Sequence, residues 1–202
     1  MEAGRGSREL IVAAALRLFC ARGFAAVSTQ DICDTAGVQK GSLYHFFKAK
    51  IDVAIAALER YGDSVANVFR AAAEGRDLPE RKLLKIFEGA QAMGECHQAE
   101  AGVMYGCLHG NLSLELAAAD ERVRACLVGI TRRWIMTLNP IMEELMAARV
   151  IPLGDPHTAG HTVLAYLHGV VLMAKAANEP ALILRMGQQA IGLLGGRVGP
   201  SR

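Results

Sequence analysis

The stretch from Ser28 to Lys50 limits the possible folds of this chain more than any other. It reads as two short helices joined by a tight turn. Ser28 is placed to cap the first helix, and Asp31, three residues on, is its capping-box partner. Ile32 and Ala36 lie four residues apart on one face. Gly37 supplies the left-handed residue that stops the helix, and Val38 anchors the turn in the core. A second helix starts at Gln39 and carries Lys40, Ser42, Tyr44 and His45, with Leu43 and Phe46 pointing inward. Lys48 and Lys50 open a third, longer helix. This is a helix-turn-helix pattern, in which the second helix enters the major groove while the first braces it across the backbone.

The net charge is only +2 over 202 residues, so any affinity for DNA must come from a local patch. The N-terminal part offers one: Arg5, Arg8, Arg17, Arg22, Lys40, Lys48 and Lys50 outnumber Glu2, Glu9, Asp31 and Asp34. Such an excess favours phosphates and makes binding salt-dependent. The cysteines are Cys20, Cys33, Cys96, Cys107 and Cys126. Their odd number and the lack of CxxC or zinc-finger spacing argue against a disulfide framework and fit a reducing cytoplasm. Met1 to Arg8 is polar, and no run of eighteen apolar residues occurs, so neither a signal segment nor a membrane span is expected.

Taken in order, the chain reads as helices throughout, with 52% hydrophobic residues to form a core. Ser7 to Arg22 carries the stripe Ile11, Ala14, Ala15, Leu18, Phe19 and ends at Gly23, with Arg5 and Arg8 able to reach DNA. Lys48 to Glu74 is a linking helix whose inward face is Ile51, Ile55, Leu58, Val65 and Phe69. Glu80 to His97 follows, then an irregular segment from Gly94 to Gly102, and a helix opening at Gly102. Asp120 to Ala148 is a long helix in which Pro140 predicts a kink. Pro156 starts a helix reaching about Asn178, and Pro180 starts the last, through Leu194. Gly195 to Arg202 reads as a disordered tail. The expected fold is all-α: a three-helix helix-turn-helix domain over 6–66, then a helical effector-binding and dimerisation bundle over 67–202, about nine helices in all.

At Ala36-Gly37-Val38-x-Lys40-Gly41-Ser42-Leu43-Tyr44-His45-Phe46-Phe47 and Lys48-Ala49-Lys50 the chain resembles the TetR family of bacterial transcriptional regulators. Two positions depart from the family pattern. Gln39, a poor cap, stands where a Ser or Thr N-cap is usual, and Ile51 replaces a common acidic residue. The resemblance implies a DNA-binding set of Ser28, Thr29, Gln39, Lys40, Gly41, Ser42, Tyr44, His45, Lys48 and Lys50. Tyr44 and Lys50 would touch phosphates, and Lys40 and Ser42 would face the groove.

The helix from Pro156 sets small residues beside large apolar ones: Ala159, Gly160, Val163, Leu164, Leu167, Gly169, Val170 and Val171. With the last helix it is the expected face of a homodimer, because reading a palindrome needs two heads. His157 and His161 have a spacing that can hold a metal, but no third clustered ligand accompanies them, so no metal site is assigned. The string Gly106-Cys107-Leu108-x-x-x-Leu112-Ser113-x-Glu115 is similar to a branch of the family that includes the N-ethylmaleimide-responsive repressor. That similarity implies a Cys107 responsive to electrophiles and oxidants, with Lys175 close by to favour the thiolate. The expected effector wall is Phe87, Met93, Met104, Cys107, Leu108, Asn111, Trp134, Leu172 and Lys175.

The function expected is therefore a DNA-binding regulator released from a palindromic operator by a small-molecule or electrophilic effector, with no cofactor. An all-helical enzyme using Cys107 with His109 or His97 is the alternative, but the chain lacks a nucleophile elbow, a phosphate loop and a metal box. A helical module that merely dimerises is a third reading, and the basic Lys40 to Lys50 segment argues against it.

Overall fold

The structure is a computed structural model that describes residues 2–196, with side chains over 6–196. Ten helices and no strand occur among the described residues. They are α1 (Glu2–Arg22), α2 (Thr29–Ala36), α3 (Lys40–Phe46), α4 (Lys50–Glu74), α5 (Pro79–Ala101), α6 (Leu108–Leu116), α7 (Glu121–Ala147), α8 (Pro156–Ala177), α9 (Ala181–Gly187) and α10 (Ala190–Leu193). No helix among the described residues is long and apolar enough to cross a membrane. The side chain of Arg5 and residues 197–202 of the expected tail lie outside the described residues. Two compact units form, and the division falls inside α4 and α7: residues 2–64 with Cys107–Ile130, and Val65–Gly106 with 131–196.

In the first unit the local signals produce the expected elements. The Ser28 Oγ accepts the Asp31 N–H at 3.1 Å, and the Asp31 carboxylate accepts the Ser28 N–H at 2.7 Å, so both halves of the capping box are made. Gly37 adopts φ 66°, its N–H bonding Asp34 O while Val38 N–H bonds Cys33 O. That is a Schellman stop, and it needs a residue tolerant of the left-handed region. Ile11, Ala15, Phe19, Ile32 and Leu43 are fully buried together with Val53, Ala54, Ala57 and Leu58. Each large apolar side chain among them contributes about 1.5–3 kcal/mol by leaving water. Two inward faces differ from expectation. In α3 it is Phe47, at the C-cap, that is buried with Leu43, while Phe46 is half-buried. In α4 the inward face runs through Val53, Ala54, Ala57, Leu58 and Tyr61, while Ile51, Ile55 and Val65 are half-buried.

The second unit corrects three boundaries. α5 does not break at Gly94 but runs to Ala101 and stops at Gly102, φ 76°. Gly94 is a site of close approach: a Cβ there would lie 3.2 Å from the Met104 side chain and 3.3 Å from Pro180. The next helix starts at Leu108 rather than Gly102, because Gly102 and Gly106 both take positive φ and Cys107 is extended. Asn178, at φ 52° beyond the end of α8, holds this segment. Its side chain accepts the Met104 N–H at 2.9 Å and donates to Gly102 O at 3.0 Å. The expected last helix is two, α9 and α10, separated by Gln188 and Gln189. α9 lies directly on Phe87, since a Cβ on Gly187 would sit 2.4 Å from its ring. Nearby, Lys82 on α5 is buried and donates to both oxygens of Glu144 at 2.7 Å, so its charge is paired.

His109 on α6 is buried in the first unit, where its Nε2 lies 3.1 Å from Leu127 O and donates to it. Burial holds its pKa below the ordinary 6.5. The unfolded chain then takes up this proton at a higher pH than the folded one, so the stability that neutral His109 contributes is full above about pH 6.5 and falls as pH drops through that value. Urea unfolding midpoints measured between about pH 7.5 and about pH 5.5 should decline. His109→Gln should flatten that decline. An unchanged slope in the variant would clear His109 of the effect.

Candidate nucleic-acid interface and the helix beneath it

The backbone turns sharply at Gly23, φ 77°, and leaves helical bonding until α2 begins. The amides and carbonyls of residues 24–27 must find other partners there. Val27 N–H turns back to Phe24 O at 3.3 Å, and charged side chains supply others. The Glu115 carboxylate, from the last turn of α6, accepts the Phe24 N–H at 2.9 Å and the Ala25 N–H at 3.1 Å. The Lys50 ammonium donates to Phe24 O at 2.9 Å and Val27 O at 2.8 Å, and it stands 3.9 Å from the Phe24 ring centroid. Arg22 donates to Ala26 O at 2.9 Å and approaches Asp31. Burial lowers the Lys50 pKa, and the negative charge of Glu115 pushes it back up. Glu115 was read in the sequence only as part of the string around Cys107. Its true partner lies about ninety residues away, beyond the reach of any local spacing.

On this support the outward residues of the head can be placed one by one. Gln39, Lys40, Gly41, Tyr44, His45 and Lys48 are exposed, and Ser42 is half-buried. Gln39 is the N-cap of α3 but makes no side-chain cap bond, as its chemistry predicts. A Cβ on Gly41 would meet nothing within 4 Å, which leaves open ground at the start of α3. The Tyr44 hydroxyl lies 3.4 Å from the Thr29 Oγ1, so α2 and α3 present these two together. Ser28 is occupied with its cap. Lys50 departs from the expected set: its ammonium turns inward to two carbonyls instead of outward. Arg8 stacks over the Phe47 ring at 5.4 Å and pairs with Glu9. Asp52 accepts the Ala49 N–H at 2.9 Å and pairs with Arg122 at 2.9 Å, fixing the start of α4.

The nine residues expected to form an effector wall divide between the units. In the first, Cys107 is the extended N-cap of α6 and is half-buried, and the buried Tyr61 hydroxyl is hydrogen-bonded to its thiol. Burial, and then the neighbouring thiol, push the Tyr61 hydroxyl well above its ordinary range. Leu108 is core, and the Asn111 amide reaches Cys20 O at 3.4 Å. In the second, Phe87 is core, packed on Tyr166 and α9. Trp134 is buried with its ring edge-on to Phe69 and His168. Met104 lies on Gly94, Met93 is half-buried, and the Lys175 stem packs on Gly106. Leu172 is 60% exposed and stands on the outer face of α8.

The other thiols are less suited to attack. Cys20 and Cys33 are buried, and desolvation raises the Cys33 pKa. Cys96 is exposed, but the bond to Glu100 and that carboxylate's charge hold its thiol up. The Cys126 thiol lies 3.4 Å from the Glu59 carboxylate. His157 and His161 are both exposed on α8, with His161 Nδ1 3.0 Å from His157 O.

Comparison with known proteins accords with this arrangement. Residues 11–57 match the model described as bacterial regulatory proteins, tetR family, and residues 79–190 match the tetracyclin repressor-like C-terminal domain. The transcriptional regulator AcuR of Cereibacter sphaeroides is 28% identical over 86% of this chain and 78% of its own length. The HTH-type transcriptional repressor NemR of Escherichia coli is 27% identical over 86% of each. A crystal structure of the regulatory protein TetR from Rhodobacter sphaeroides superposes with a TM-score of 0.80 at 27% identity, over 92% of this chain and 97% of that one. The reduced form of E. coli NemR gives a TM-score of 0.77 at 21% identity, over 94% and 98%, a likeness of fold. With its head matched and more than half of its length covered by the C-terminal model, this chain is a DNA-binding transcriptional regulator and belongs to the TetR family of bacterial regulatory proteins.

Proposed function

We propose that this regulator is a cytoplasmic repressor that binds a palindromic operator as a homodimer and is released when an electrophile or oxidant modifies Cys107. Regulators of this family bind DNA operators and act as dimers, and NemR, a relative, is named a repressor. The observation that carries the effector reading is the setting of Cys107. Cys107 stands at the N-cap of α6, where amide dipoles favour negative charge, beside the buried Tyr61 hydroxyl. The groove-facing set is Gln39, Lys40, Ser42, Tyr44 and His45 with Thr29, and Lys48 serves as a phosphate cation.

The dimer face in this reading is the outer side of α8. Ala159, Gly160, Val163, Leu164, Leu167, Val170 and Val171 are buried within the second unit, which leaves Gly169 at the surface with Leu172 and Met173. A Cβ on Gly169 meets nothing within 4 Å, so a charge there is compatible with the folded subunit. Gly169→Asp should sediment as a monomer and lose operator binding. A variant that remains dimeric would move the interface elsewhere.

Salt dependence separates the two lysines. Lys48→Ala should lower the slope of log affinity against log salt by about one, as the loss of one phosphate contact requires. Lys50→Ala should leave that slope unchanged and lower stability by about 1–3 kcal/mol, because two carbonyls lose a charged donor. A slope change of about one for Lys50→Ala would restore it to the phosphate set.

For the thiol, mass spectrometry after brief treatment with N-ethylmaleimide should find Cys107 labelled before Cys20, Cys33, Cys96 and Cys126, with loss of operator binding in parallel. Cys107→Ser should stay bound under the same treatment. If Cys107→Ser is still released, the effector acts without bonding to this thiol.

A further inference from the structure

Glu115 touches no outward residue of the head, yet its carboxylate holds two consecutive amides of the loop that leads into α2. The loop is shaped for it. Gly23 takes φ 77°, and a Cβ there would lie 2.7 Å from the Glu115 Oε1. A glycine in the left-handed region followed by two convergent N–H groups is a backbone anion nest, here filled by a side chain of α6. Lys50 grips the carbonyls of Phe24 and Val27, so the loop is held through its donors by one charge and through its acceptors by the other. The next residue after Val27 is the capping Ser28, which fixes the start of α2.

We propose that Glu115 is a positioning residue for DNA reading: α6 sets the entry of α2, and hence the aim of the α2–α3 pair, through this carboxylate. Cys107 stands at the N-cap position, the other end of the same nine-residue helix. A chemical event at the thiol therefore reaches the head through a rigid element whose far end holds the loop. The second statement rests on the reading of Cys107 as the effector site; the first does not.

The test compares Glu115→Ala, Glu115→Asp and Glu115→Gln with the wild type on DNA fragments selected from a random pool by the wild type. Thermal unfolding is measured on the same samples. Asp keeps the charge but is one methylene too short for the amides, and Gln keeps the reach with a neutral acceptor. Ala and Asp should each lose about tenfold or more in operator affinity per folded protein, with Gln recovering part of it. Because Glu115 is exposed, midpoints should move little. Treatment with N-ethylmaleimide should weaken binding by a smaller factor in Glu115→Ala than in the wild type. Affinities within about twofold of wild type for all three variants, or losses that follow only the fraction unfolded, overturn the positioning role. Wild type that selects no DNA would instead refute the regulator reading. Wild type that binds but ignores the thiol reagent would refute the Cys107 reading and leave the affinity comparison to judge Glu115.

Discussion

Everything the head does depends on how the chain gets from α1 to α2. From Phe24 to Ala26 the backbone lies outside the helices, and its half-buried or exposed amides and carbonyls are open to water. Water satisfies such groups but does not fix their direction. Glu115, Lys50 and Arg22 satisfy them and also fix it, because a carboxylate and an ammonium held by their own helices admit one path for the loop. The angle at which α2 leaves this loop decides where α3 sits, and α3 carries the residues that meet base edges.

That arrangement divides the basic residues by task. A count of cations in the first fifty residues suggests a uniform patch, but Lys50, Arg22 and Arg8 face carbonyls, carboxylates and an aromatic ring. Lys40, Lys48 and Arg17 are exposed, and Arg8 and Arg22 are exposed as well. Burial lowers the pKa of Lys50, half-buried and bonded to backbone, and the charge of Glu115 offsets part of that loss of water. Of these cations only Lys50 is withdrawn from the surface, since Arg8 and Arg22 are still exposed beside their partners, so Lys50 is the cation expected to drop out of the salt dependence.

What was legible in the sequence was local. The Ser28–Asp31 box, the Gly37 stop, the weak Gln39 cap and the Pro156 start all act across a few residues, so spacing alone reveals them. What was not legible depends on contacts made far along the chain. Gly94 looked like a break, yet it is a helical glycine that admits Met104 and Pro180. Gly102 and Gly106 looked like helix, yet both take left-handed turns, Gly102 bonded to Asn178 and Gly106 packed against the Lys175 stem. The apolar run of α8 did not show which side faces outward, because Val170 and Gly169 are neighbours in sequence and opposite in burial. The family strings supplied the head, and the bracing of the head by Glu115 was contained in a string read for another residue.

The thiols show how such placement becomes chemistry. Five cysteines with the same intrinsic acidity are separated by surroundings alone. Desolvation suppresses Cys33, and a carboxylate suppresses the exposed Cys96. Exposure by itself therefore does not select the reactive group, since the most accessible thiol has a negative neighbour. Selection requires access together with something that stabilises the anion. Cys107 is set apart from these by its place: half-buried at the N-cap of α6, beside the Tyr61 hydroxyl. Tyr61, buried beside that thiol, is held well above the ordinary range of a phenol, first by burial and then by the neighbouring sulfur, so it remains a neutral hydroxyl there.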